Sequence, residues 1–406
     1  MTENWIHPDR ENLTWEVFGE ASRNLSEQIV ESGWFPDLIV GVARGGLIPA
    51  GAIGYAIGVK AMGAINVEFY TDIGQTLDEP VILSPQLDTD SLKGKKVLVV
   101  DDVAELDGLS DDAIGAAAAA GARIVFLPEI TFLRYPADVR PDGRAADLAE
   151  DPETGRSVAF ARRAAAKHDV HVHVSLYERA DVAEGVPDAV ADGLGYNTAV
   201  VVAPDGDVVA RTRKTHIPIT AGYYEDHYFR AGPATDAYPV HEVDLEGAPL
   251  RLGLPTCWDE WFPEVARAYS LGGAQVLCYP TAIGSEPDHP DFDTMPLWRQ
   301  VIVGNGIANG LFMVVPNRTG HEGINTFYGS SFISDPYGRV LVEAPRDEEA
   351  VLVADLDLPQ REDWLTLFPF LGTRRPDSYG VLVEPVRDEH RIVVGDEVTD
   401  ATDVSA

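Results

Sequence analysis

Residues 105–112, Glu-Leu-Asp-Gly-Leu-Ser-Asp-Asp, part the chain into two stretches that ask for different sheets. Before them, from Pro36 to Gly58, the sequence runs as an apolar strand, a glycine turn through Arg44-Gly45-Gly46 and an Ala/Ile/Gly helix. A second strand, Lys95 to Val103, carries the paired carboxylates Asp101 and Asp102. Strand, turn, helix and strand in that order predict a parallel α/β unit with its chemistry at the strand ends. After the seam the alternation restarts. Ser110-Asp111-Asp112 predicts an N-cap and 113–120 a short alanine helix ended by Gly121. Arg123 to Glu129 reads as a buried strand tipped by a carboxylate, and 158–167 as a helix. His171 to Tyr177 is a strand; 196–203 and 208–213 form a hairpin turned by Pro204-Asp205-Gly206 that delivers Lys214.

Cys257 follows the strand 250–254 and opens an acid-rich turn, Cys-Trp-Asp-Glu-Trp-Phe-Pro-Glu (257–264). At such a strand-to-helix turn the positive end of the helix dipole favours thiolate. Glu129, Lys214 and Cys257, in that chain order, supply a base, a charge stabiliser and a nucleophile. Each alone has a bland alternative: an edge carboxylate, a solvated basic cluster with Arg211 and Arg213, and a core cysteine. Cys278, inside an apolar run, stays with the last of these. His171 and His173 alternate on one strand face, but no Cys or third His lies nearby at ligand spacing, so no metal is expected. No cofactor is needed by the three groups.

The chain carries 66 Asp plus Glu against 31 Lys plus Arg, a formal net charge of −35, and six of the basic residues are lysine. Such a surface repels nucleic acid and anionic lipid, leaving a small molecule as the expected partner. Acid spread along the whole chain suits solubility at high salt and predicts a halophilic source. No apolar run approaches the ~18 residues of a membrane span, and the start lacks a signal-like pattern. With only two cysteines in 406 residues, a reducing, cytoplasmic setting is expected.

The first stretch, about 10–104, resembles the type I phosphoribosyltransferases. The resemblance implies that Arg44 and Gly45 lie near a pyrophosphate and that Asp101 and Asp102 hold ribose hydroxyls. Where that family binds a 5′-phosphate, this chain places Glu105 and Asp107, like charges for an anion, and the family's later strands are absent. Turnover of phosphoribosyl pyrophosphate is therefore not expected.

The second stretch, about 112–385, resembles the nitrilase superfamily of carbon–nitrogen hydrolases, most closely the N-carbamoylputrescine amidase type. The resemblance rests on Leu127-Pro128-Glu129, Arg213 to Pro218, Cys257 to Glu264, Tyr279 to Pro287, Asn317-Arg318 and Arg374 to Gly380. It implies a four-layer α-β-β-α sandwich, a Glu129–Lys214–Cys257 triad and a second glutamate at Glu225. It also implies a role in polyamine biosynthesis and a homo-oligomer to which Trp261-Phe262 and 364–370 contribute. The Trp258 backbone N–H joins Lys214 in stabilising an oxyanion. Asp259, Glu286 and Glu225 are candidates for a substrate's cationic end, and Arg318 for a carboxylate. The family's opening core strand is missing, and Val97 to Asp101 is the candidate stand-in.

The expected organisation is a truncated, partial Rossmann-like phosphoribosyltransferase segment (1–109), a hydrolase domain (110–387) and an acidic tail (388–406) without fixed structure. The expected activity is thiol-dependent hydrolysis of an N-carbamoyl amine. The competing readings are a phosphoribosyltransferase acting on a purine base and an inactive recombined fusion.

Overall fold

A computed structural model describes residues 15–31, 33–43, 46–72, 75–82, 95–100, 106–180, 193–245 and 247–386. It divides between Glu105 and Leu106 into two units. The first contains α1 (Trp15–Glu31), β1 (Leu38–Ala43), α2 (Leu47–Ile57), β2 (Met62–Asp72), β3 (Gln75–Ile82) and β4 (Val97–Val100). The strand order is β3-β2-β1-β4, with β1 parallel to both β2 and β4 and β3 antiparallel to β2. The strand and the helix expected after Pro36 are present as β1 and α2. Its core is small: Ile39, Ala50 and Ile53 are buried, with Ile29, Ile57, Val59 and Leu98 packed against them. Arg44, Gly45, Asp101 and Asp102 lie outside the described residues, as does the tail 388–406.

The second unit opens with α3 (Leu106–Ala119). The helix begins four residues before the expected cap, so Ser110 lies inside it. The chain leaves it through Gly121 at φ +97. Then follow β5 (Ile124–Phe126), α4 (Arg156–His168), β6 (His171–Glu178), β7 (Gly195–Val202), β8 (Val208–Arg213), the small hairpin β9–β10 (Ile219–Thr220, Tyr223–Tyr224) and β11 (Phe229–Arg230). These strands, apart from the hairpin, make one sheet in the order β11-β7-β6-β5, with β8 also on β7. A second sheet takes β12 (His241–Leu245), β13 (Ala248–Gly253), β14 (Val276–Cys278), β15 (Phe312–Val315), β18 (Phe332–Ser334) and β19 (Val340–Glu343). Helices α5 (Pro263–Leu271) and α6 (Met295–Asn309) and the hairpin β16–β17 (Thr319–Glu322, Asn325–Tyr328) interrupt it.

Period-two alternation assigns each strand's two faces to two different cores. Val200 and Val202 of β7 join Val158, Ala161 and Ala165 of α4, whereas Ala199 and Val201 face Leu252, Val276, Cys278 and Phe312 of the other sheet. Leu277 and Met313 point away from that inter-sheet core, toward Tyr269 of α5 and Trp298 and Ile302 of α6. The order helix, sheet, sheet, helix is the four-layer sandwich. His173 lies fully buried beside Phe126, ring centroids 5.6 Å apart, and burial lowers its pKa to about 3, so it is a neutral packing residue.

The stand-in for the missing opening strand does not hold. Val97–Val100 is β4, paired with β1 of the first unit, and among the described residues β5 pairs only with β6. The short apolar text of 97–100 fits either sheet, and its register with Leu38–Gly41 places it in the first.

Candidate active site

Two groups of like-directed strands deliver the site. β5 is parallel to β6, and β8 returns to the same direction after two antiparallel steps, so Glu129 and Lys214 emerge at one end. In the facing sheet β13, β14 and β15 run parallel and lead into Cys257, Thr281 and Arg318. Glu129, Lys214 and Glu225 are all at most 1% exposed. Lys214 Nζ lies 3.0 Å from Glu129 Oε1 and 2.9 and 2.7 Å from the two oxygens of Glu225. Burial would favour the neutral amine, but the two carboxylates outweigh it and hold the Lys214 pKa well above its ordinary range. The ammonium is therefore permanent at neutral pH.

Glu129 is held asymmetrically. Asn197 Nδ2 donates to Oε1 at 2.6 Å alongside Lys214, while Oε2 is buried and makes no hydrogen bond. A buried carboxylate oxygen left without a donor is costly unless a proton arrives there. Glu225 accepts a hydrogen bond from the Tyr135 hydroxyl at 2.8 Å, and burial pushes its pKa up to about 7 against the opposing pull of Lys214.

Cys257 is 5% exposed and has φ +45, a left-handed backbone that costs a non-glycine residue ~1–3 kcal/mol. Its N–H donates to Pro280 O at 3.0 Å, and it opens a single 3₁₀ turn, Cys257–Trp261. The thiolate expected from a helix dipole is not favoured here: burial raises the thiol pKa well above normal, Glu129 adds to the rise, and Lys214 only opposes it. A one-turn 3₁₀ segment has too few aligned peptide dipoles to win against that burial. The resting group is a thiol. Trp258 is the second residue of this turn, where backbone N–H groups lack intrahelical acceptors.

Asp259 does not face a substrate space. Its carboxylate accepts from Thr256 N (3.0 Å), His216 N (2.9 Å) and His216 Nδ1 (2.7 Å), closing a capping box and tying the turn of Cys257 to the chain just after Lys214. Arg318 is likewise engaged: Nε donates to Glu129 O (2.9 Å), Nη2 to Ile130 O and to Leu133 O (2.6 Å), and Nη1 to Glu322 (2.6 Å). Both side chains are thus engaged by the protein's own groups, backbone and side chain alike. Glu286 is half-buried, with its carboxyl pKa raised by burial, and lies close enough to act on the Tyr223 phenol together with Cys257 and Glu129.

Tyr135, Asn197 and Glu260 escaped the sequence reading. Asn197 is a lone amide in the apolar strand Gly195–Val202, a signal that was available. Glu260 is fully buried, burial raises its carboxyl pKa well above the usual range, and it lies within electrostatic reach of Cys257. A recess of about 440 Å³ is lined by Ser285, Asp291, Asp293, Thr294, Tyr328 and Asp347, among others. Tyr328 stands within electrostatic reach of Cys257 and Glu260. Trp261 and Phe262 pack on the helix-side core, Phe262 stacked on His216 at 3.8 Å.

Residues 11–105 match the phosphoribosyl transferase domain, and residues 97–365 match the carbon-nitrogen hydrolase family. The second match begins inside β4, a strand the first unit has claimed. The chain is 34% identical over 272 residues to a citrullinase of Francisella tularensis, covering 66% of this chain and 88% of that one. It is 34% identical over 294 residues to an N-carbamoylputrescine amidase of Arabidopsis thaliana, covering 70% and 91%. A carbon-nitrogen hydrolase from Helicobacter pylori G27 superposes with a TM-score of 0.60 at 32% identity, over 68% of this chain and 92% of that one. An amidase from Nesterenkonia sp. AN1 shares the fold, with a TM-score of 0.50 at 24% identity over 66% and 87%. Similarity carried through the whole sandwich, in sequence and in strand arrangement alike, establishes that this chain belongs to the carbon-nitrogen hydrolase family.

Proposed function

We propose that the chain hydrolyses an N-carbamoyl amine, N-carbamoylputrescine being the preferred substrate, to putrescine, carbon dioxide and ammonia through a thioester on Cys257. The observation that carries this is the vacant oxygen of Glu129. With Oε1 committed to Lys214 and Asn197, Oε2 is the buried acceptor left to take the thiol proton. Sγ then attacks the carbamoyl carbon, and the Lys214 ammonium and the Trp258 N–H offset the charge on the tetrahedral oxygen. Glu129 returns the proton to the leaving amine. Water, deprotonated by the same carboxylate, cleaves the thioester, and the carbamate released breaks down to carbon dioxide and ammonia.

The cationic end of the substrate is read from what surrounds the recess. Asp291 and Asp347 line it together with Arg346, which is committed to Asp293 at 2.9 and 3.0 Å, and four of the five Arg318 N–H groups are spent on Glu129 O, Ile130 O, Leu133 O and Glu322. Acceptors without a competing cation favour an ammonium over a zwitterion. Glu286 is assigned to the same end, and Glu225 to positioning Lys214. A homo-oligomer in the cytoplasm belongs to this reading. Leu367 and Phe368, exposed beside Trp364 that is anchored to Ile307 O at 2.8 Å, offer an apolar face to a second copy.

The test is ammonia release from N-carbamoylputrescine and from citrulline by the purified full chain, with Cys257→Ala as control. Release from the first at a higher kcat/KM, a carbamoyl adduct on Cys257 in the intact mass, and a loss of about 10⁴-fold or more in Cys257→Ala are expected. Full activity in that variant would end the proposal; preference for citrulline would end the diamine assignment.

A further inference from the structure

The base and the nucleophile stand on different sheets, so something must fix the distance between them. β5 contributes only three residues of strand before Leu127-Pro128-Glu129, and Pro128 has no N–H to anchor the exit. The Glu129 N–H reaches Thr281 O only at 3.4 Å. The turn beyond it is strained, with the β-branched Ile130 at φ +45. A short strand followed by a strained turn does not hold a side chain to a fraction of an ångström by itself.

Asn317 and Arg318 bridge this gap. On the nucleophile's side, Asn317 accepts from Ile283 N (3.0 Å) and donates to Ile283 O (3.0 Å) and Gly329 O (2.9 Å), while Arg318 N donates to Thr281 O (3.2 Å). Pro280, one residue before Thr281, accepts the N–H of Cys257. On the base's side, the guanidinium of Arg318 donates to three carbonyls of the 129–133 turn. Glu322 completes the clamp: it accepts from Arg318 through Oε1, and its Oε2 accepts from Tyr135 N at 2.8 Å, the residue whose hydroxyl reaches Glu225.

We infer that Arg318, braced by Glu322, is the positioning residue that sets Glu129 against Cys257 for proton transfer. Five guanidinium N–H groups in a rigid plane suit three carbonyls and a carboxylate, a set that a lysine's point charge does not reproduce. The inference rests on the reading of Glu129 as base, and the test separates the two. In full-length Arg318→Ala, with folding checked by circular dichroism, kcat for N-carbamoylputrescine is expected to fall about a hundredfold while KM stays within about threefold. Millimolar guanidinium chloride restores at least a tenth of the loss, and Arg318→Lys stays close to Arg318→Ala. Activity within threefold of the parent, a loss carried by KM, or no response to guanidinium overturns the inference. Should Arg318→Ala fail to fold, Glu322→Gln serves: about a five- to tenfold fall in kcat at unchanged KM supports the clamp, and parental kinetics reject it. If the parent releases no ammonia, the substrate reading fails, and alkylation of Cys257 by iodoacetamide still tests the clamp. A slower, guanidinium-rescued alkylation in Arg318→Ala upholds it; an unchanged rate and pH profile overturn it.

Discussion

Two parallel strands, β4 of the first unit and β14 of the second, carry nearly the same apolar text and meet different fates. In β4, Leu98 turns toward α2 while Val99 is 59% exposed; in β14, Val276, Leu277 and Cys278 are all at most 1% exposed. On one face of β4 Val99 is thus left exposed, whereas β14 lies between a helix layer and a second sheet. A strand and helix can therefore persist around a cluster of three buried side chains, with Leu38 and Val40 the further buried apolar residues of β1. A strand end that must hold a reacting group needs both faces filled. The second unit supplies that; the 14 buried residues between α3, α4 and their sheet are only one of its four large cores.

The comparison is broken most forcefully at the charged centre of the second unit. Lys214→Met leaves Glu129 and Glu225 facing each other unpaired and buried. It should cost ~3–5 kcal/mol of stability and most of the activity, read by thermal melting and ammonia release; an active, equally stable variant would show that the well-packed unit does not depend on its ion network. Next in size is the contrast itself. Amide exchange in β4 should be at least about tenfold faster than in β14 under native conditions, measured by mass spectrometry, and equal protection would mean that the first unit's uncovered face is covered in solution.

A smaller effect follows from Glu225. Its carboxyl titrates at about 7 in the native chain against 4.5 ordinarily, so the folded state holds the proton more tightly than the unfolded one. Stability from this group is fully present below pH 4.5 and is lost as the pH rises toward 7. Glu225→Gln should flatten that slope in melting temperatures taken across the window; an unaltered slope would assign it elsewhere. The smallest shift concerns both units alike. At a net charge of −35, raising salt from ~0.15 to ~1 M shortens the screening length from ~8 to ~3 Å and should raise the melting temperature by a few degrees. A flat response would remove the argument for a halophilic source.

Much of this arrangement was legible before any coordinates. Period-two apolar runs, the Pro-Asp-Gly turn and the glycine after the alanine helix located most elements of the second unit. The sequence singled out Glu129, Lys214 and Cys257, and the structure pairs Lys214 with Glu129 and sets both within electrostatic reach of Cys257. What the text withheld was partnership. Residues 97–100 could serve either sheet, and only pairing with Leu38–Gly41 decides. Asp259 and Arg318 are charged residues next to the chemistry; Thr256 and Asp259 stand at capping-box spacing, but nothing local shows that Asp259 also reaches His216 or that Arg318 is spent on the 129–133 turn. The protonation of Cys257 was misjudged for a similar reason: a turn's dipole is visible in sequence, while the burial that outweighs it is not.

Asp259 carries a lesson for protein engineers. One carboxylate spans the elbow of Cys257 and the two residues following Lys214, so the turn 256–262 is a keystone shared by two arches. Mutational libraries aimed at new substrates are best directed at Ser285, 290–294 and Asp347, where the recess can be reshaped, with residues 256–259 and 214–216 kept constant.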